Sequence, residues 1–113
     1  MAYDKELADR IRELIEPEPG LVEKKMFGGL AFLIGGNMAV AASGRGGLLV
    51  RVAPQDSTAL LARAYVATMV MGGREMTNWL HVDGAAVTDD AALDEWIDRG
   101  VSYARSLPPK KNK

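Results

Sequence analysis

The chain has 113 residues, with 14 Lys and Arg against 15 Asp and Glu and a net charge of −1. That length suits one domain that buries roughly two-thirds of its unfolded surface. The near-neutral balance excludes a global electrostatic pull toward nucleic acid or an anionic membrane, and the lack of cysteine excludes disulfides, thiolate metal sites and cysteine nucleophiles.

The first helix is expected over Asp4 to Glu16, where Leu7, Ile11, Leu14 and Ile15 form one apolar stripe. Asp4 is a candidate N-cap, and Pro17, Pro19 and Gly20 stop the helix. From Lys24 to Ile34 the chain reads as a strand broken by Gly28-Gly29, with Leu30, Phe32 and Ile34 alternating onto one face. Gly35-Gly36-Asn37 is a turn suited to positive φ. Met38, Val40 and Ala42 continue the core face in a second strand. After the turn Ser43-Gly44-Arg45-Gly46-Gly47, a third strand puts Leu48, Val50 and Val52 on the core face and Leu49 and Arg51 on the other face.

Ala53-Pro54 begins a short helix from Gln55 to Arg63. Thr68 to Met71, Gly72-Gly73 and Arg74 to Val82 form a second hairpin. Thr88-Asp89-Asp90 opens a last helix, with acids at its positive dipole end. That helix is lined by Leu93, Trp96, Ile97, Val101 and Ala104 and ends at Leu107 before Pro108-Pro109. The order is α-βββ-α-ββ-α, an α+β fold with a five-stranded antiparallel sheet and flanking helices. Residues 1–107 form the single domain and residues 108–113 a flexible basic tail. The charged first fifteen residues do not read as a signal peptide, and no apolar run reaches membrane-spanning length, so a cytoplasmic location is expected without membrane contact.

Few residues announce a chemistry. Gly28-Gly29 reads either as a bulge with tight packing or as a close approach for a phosphate or partner, with Lys24 and Lys25 beside it as charge. Arg45 sits in a glycine-rich tip that is either a plain hairpin turn or an anion-binding nest. Arg51 and Arg74 are either solvated strand residues or partners for a carboxylate or phosphate. The only histidine, His81, lies in a strand with no evident catalytic partner and reads as structural. Met69, Met71, Met76 and Trp79 form an apolar group that suits core packing, a homodimer interface or an adaptable partner groove. Lys110, Lys111 and Lys113 either solubilise the terminus or add nonspecific phosphate contacts.

Three blocks carry a family resemblance: Lys25-Met26-Phe27-Gly28-Gly29-Leu30-Ala31-Phe32, Gly36-Asn37-Met38-Ala39-Val40, and Leu49-Val50-Arg51-Val52. With Gly73-Arg74-Glu75-Met76, Trp79, Trp96 and Leu107-Pro108-Pro109-Lys110, they resemble the TfoX/Sxy family N-terminal domain in its short, single-domain bacterial branch. The chain departs from that branch at Glu75, where proline is usual. The resemblance implies a secretion-chaperone-like α+β fold. It also implies kinship with competence regulators that act beside a transcription activator of the cyclic-AMP receptor type. Those regulators carry a second, helical domain, which these residues end too soon to include. The family pattern brings no catalytic residue to transfer; one histidine and no cysteine argue against a transition-metal site, and no cofactor is expected. The expectation is a non-enzymatic regulatory domain, a homodimer, that docks to a protein partner. The alternative is a transcription accessory that binds DNA directly. Contacts would come from Lys24, Lys25, Gly28, Gly29, Arg45, Arg51 and Arg74.

Overall fold

In the computed structural model, the described residues are 5–15, 20–26, 29–44, 46–71 and 73–108. They form helices α1 (Lys5–Ile15), α2 (Pro54–Leu61) and α3 (Asp90–Ser106). Their strands are β1 (Leu21–Met26), β2 (Gly29–Ile34), β3 (Asn37–Ala42), β4 (Leu48–Arg51), β5 (Val66–Met71) and β6 (Arg74–Val82). The six strands make one antiparallel sheet in the order β1-β2-β3-β4-β6-β5.

The expected five-stranded sheet is therefore corrected to six strands among the described residues. The additional strand is β1, whose Leu21 pairs with Ile34 and Met26 with Gly29. Its centre is Glu23-Lys24-Lys25, and all three residues are exposed. An edge strand with charges toward solvent has no apolar alternation to betray it. The single strand read from Lys24 to Ile34 is thus two, β1 ending at Met26 and β2 beginning at Gly29.

The expected β2-β3-β4 meander is present. The chain then leaves β4 through α2, passes to the far edge as β5, and returns as β6 between β5 and β4. Ala53 is extended (φ −65°, ψ 142°), as the residue before a proline tends to be, and Pro54 opens α2 where its missing N–H costs nothing. The helix stops at Leu61, two residues short of the expected Arg63. The following turn brings Tyr65 to a left-handed φ of 69° before β5 begins.

The helices lie on one face of the sheet, with α3 against β2, β3 and β4, and α1 against α3 and β3. The core between them contains Ile11, Phe32, Val40, Leu48, Val50, Leu80, Leu93 and Trp96, all nearly inaccessible. The spacing of Leu7, Ala8, Ile11 and Ile15 gives α1 the single buried stripe read from the sequence. Arg10 fastens that helix to the start of α3 through Asp90 at 2.8 Å and the Thr88 carbonyl at 3.2 Å. Asp89 occupies the N-cap of α3 without a side-chain bond, and a 3₁₀ turn over Gly84–Val87 precedes it.

Met38 does not continue the helix-facing row, as its spacing suggested. Phe32 pairs with Val40 but Leu33 pairs with Met38, which leaves Ala39 as a β-bulge. The bulge turns Ala39 and Val40 both toward the helices. Met38 swings to the other face, where it clusters with Ala31, Leu33, Ala41, Leu49 and Met69. A second irregularity in β6 pairs Thr68 with Leu80 and Met69 with Met76, around Asn78 at φ 70°.

Candidate functional site

The cationic residues singled out from the sequence are dispersed. Lys24 and Lys25 are exposed on β1, where they pair with Ala31 and Leu30 and so point to opposite faces. Arg74 is exposed at the start of β6, beside the other edge. Five strand spacings separate β1 from β5, roughly 24 Å across the sheet. Gly28 and Arg45 lie outside the described residues. No common basic patch joins Lys24, Lys25, Arg51 and Arg74.

Arg51 and Gly29 are engaged within the fold. The Arg51 guanidinium lies 5.2 Å from the ring centroid of Trp79 and 5.6 Å from that of Tyr103. It is a cation–π link between β4, β6 and α3. Gly29 is buried, and a Cβ there would collide with the Ala42 carbonyl oxygen and come within 2.9 Å of the Gly44 nitrogen. Its missing side chain makes room for β3, so the close backbone approach read from the double glycine is to the neighbouring strand.

His81 has a structural partner. Its Nε2 lies 2.7 Å from the Gly46 carbonyl oxygen, which can only accept, so Nε2 carries the proton. The β3–β4 turn is closed by Ser43 N–H to the Gly47 oxygen and Gly46 N–H to the Ser43 oxygen, each 3.0 Å. Gly46 and Gly47 sit at φ 90° and 80°, and a Cβ on Gly47 would meet the His81 ring. The turn folds over the imidazole, which explains glycines where an anion nest was one reading.

A groove of about 670 Å³ lies between α2 and α3. Val52 and Leu60 contribute apolar wall, and Tyr103 an aromatic one. Asp56 comes from α2, while Asp94, Glu95 and Asp98 come from α3. Glu95 accepts from Arg63 at 3.0 Å and from Arg99 at 3.1 Å. The Arg63 bond, then the Arg99 bond, holds its carboxyl below the ordinary carboxylate range. Arg63 also lies 4.9 Å from the Trp96 ring centroid. Four carboxylates against two guanidiniums, those of Arg99 in the lining and of Arg63 paired with Glu95, leave the groove acidic. Among the described residues, no three His, Asp or Glu gather as a metal ion would require.

The sequence reading missed this groove. Asp94, Asp98, Ser102 and Ser106 recur every four residues along the polar side of α3, a signal of one shared face. Nothing in the spacing along the chain places Asp56 opposite them, because that depends on how α2 crosses the sheet.

The family model for the TfoX N-terminal domain matches residues 13–104. The chain belongs to that family. Searches of curated proteins and of solved structures returned no match. In this TfoX N-terminal domain the matched stretch takes in all six described strands, α2 and most of α3. It therefore contains every groove residue except Ser106. Among the described residues, no helix is long and apolar enough to cross a membrane.

Proposed function

We propose that this TfoX N-terminal domain is a non-enzymatic regulatory module, akin to that of the competence regulators, that docks to a protein partner. The observation that carries the reading is electrostatic. The cationic residues singled out from the sequence are spread across the sheet, while the groove between α2 and α3 gathers Asp56, Asp94, Glu95 and Asp98. Such a groove repels the phosphates of nucleic acid and suits a basic segment of a protein with an apolar residue for Val52 and Leu60. The engagement of His81 with the Gly46 carbonyl favours a binding role over acid–base catalysis. A cytoplasmic location and a secretion-chaperone-like fold type belong to the same proposal.

The test is affinity capture from host lysate after nuclease treatment, with the wild-type domain and with Asp94→Lys/Asp98→Lys compared side by side. A specific protein held by the wild type and lost from the double variant is the expected result. Duplex DNA binding by the wild type at low and at physiological salt, with capture abolished by nuclease, would move the function to direct nucleic-acid contact.

A further inference from the structure

The two edges of the sheet differ in kind. β1 presents Glu23, Lys24 and Lys25 in succession, all exposed. Lysine on an edge strand discourages another chain from adding to it. β5 reads Val66-Ala67-Thr68-Met69-Val70-Met71 and carries no charge. Its inner side pairs with β6, and no described strand of this chain pairs with its outer side. The large apolar side chains exposed among the described residues are Val22, Tyr65 and Val70. Val70, half exposed, lies on β5, and Tyr65, 61% exposed, directly precedes it.

The strand is also nearly symmetric about Thr68, with Ala67 and Met69 flanking it and Val66 and Val70 beyond. Met69, read from the sequence as core, interface or groove, is buried in the cluster behind the sheet, against which Trp79 packs. The exposed material on this edge is instead Ala67 and Val70, with the backbone between them.

We propose that β5 pairs antiparallel with β5 of a second copy, about a two-fold axis through Thr68, to make one continuous sheet across a homodimer. A two-fold axis normal to the sheet keeps each face on its own side, so opposed residues must share a face. The register centred on Thr68 meets that condition. It sets Val66 opposite Val70 of the partner subunit and Thr68 opposite Thr68 of the partner subunit. β-Branched and Thr–Thr pairs are favourable cross-strand neighbours. The contact is isologous and closes on itself. Pairing β5 with β1 of another copy would leave free edges and grow into a fibre, and would lay Lys24 and Lys25 against an uncharged strand. The pairing does not depend on the α2–α3 groove, and the groove variants named above should leave it intact.

The cysteine-free chain makes the test direct. Opposed Cα atoms in an antiparallel pair are about 4.5–5.5 Å apart, within disulfide reach. Under mild oxidation Thr68→Cys should become a covalent dimer, whereas Val22→Cys on the other edge should not. By sedimentation equilibrium the wild type should show twice the 12.2 kDa chain mass. Thr68→Lys, which sets two like charges at the axis, should return it to the monomer mass with an unchanged far-ultraviolet circular dichroism spectrum. A wild type that stays monomeric at the highest attainable concentration overturns the proposal. So does a dimer that cross-links as well through Val22→Cys as through Thr68→Cys. If Thr68→Lys unfolds, the contrast between the two cysteine variants decides alone.

Discussion

Gly100 sets how closely α3 approaches the sheet. It is buried within the helix, and a Cβ there would collide with the Ala39 carbonyl oxygen and press Val40 Cγ1 at 2.9 Å. Ala39 is the bulged residue of β3, so its backbone projects toward the helix just where the side chain is missing. In a solvent-facing helix, glycine to alanine stabilises by about 1 kcal/mol. Here the sign should reverse. Gly100→Ala should destabilise by about 1–3 kcal/mol, the usual range for overpacking, as read from the urea midpoint. An unchanged or raised midpoint would mean that α3 can lift off the bulge without loss. The apolar stripe of α3 was legible in the sequence, but this glycine was not, because its reason is a carbonyl on a strand some sixty residues away.

At the scale of elements, ion pairs fasten the helices to their neighbours. Arg12 bonds Glu23 on β1 at 2.6 Å and Asp9 within α1 at 2.7 Å, and its bond holds the Glu23 carboxyl below the ordinary range. Glu95 on α3 is likewise depressed by Arg63 and Arg99. A carboxylate with a lowered folded-state pKa contributes stability in full above its unfolded value. That contribution is lost as pH falls through the lower folded value. Glu95→Gln should therefore be less stable than the wild type at neutral pH, and the gap should close in acid. The side chain is 43% exposed and screened by water, so the difference should lie within the ~0.2–1 kcal/mol of surface pairs. Urea denaturation at neutral and acid pH would check it, and a gap that widens in acid would reverse the assignment. Element type and order were legible wherever apolar periodicity was strong, as in α1, α3 and the β2–β4 meander. β1 was not, because an edge strand with Glu23, Lys24 and Lys25 facing water has no buried row to repeat.

For the whole molecule, what matters is which surfaces stay open. Lys24 and Lys25, weighed as ligand contacts, sit on β1, one of the two edge strands of the sheet. Replacing both with valine should raise aggregation several-fold while the thermal midpoint of the protein moves little. Light scattering during incubation and a thermal melt would check the two halves, and a double variant as soluble as the wild type would remove the guarding role. The fold class, the helix stripes, the β2–β3 and β3–β4 turns and the family could all be read from the chain's residues alone. These depend on short-range periodicity and local backbone chemistry, which each segment carries alone. The folded arrangement was needed to show that Met38 faces away from the helices and that His81 is held by Gly46. It also decided that the candidate cations stand apart while Asp56 joins the carboxylates of α3. Each of those outcomes turns on a bulge, a crossing or a strand order that brings distant residues together, and the spacing of residues along the chain contains no distance between them.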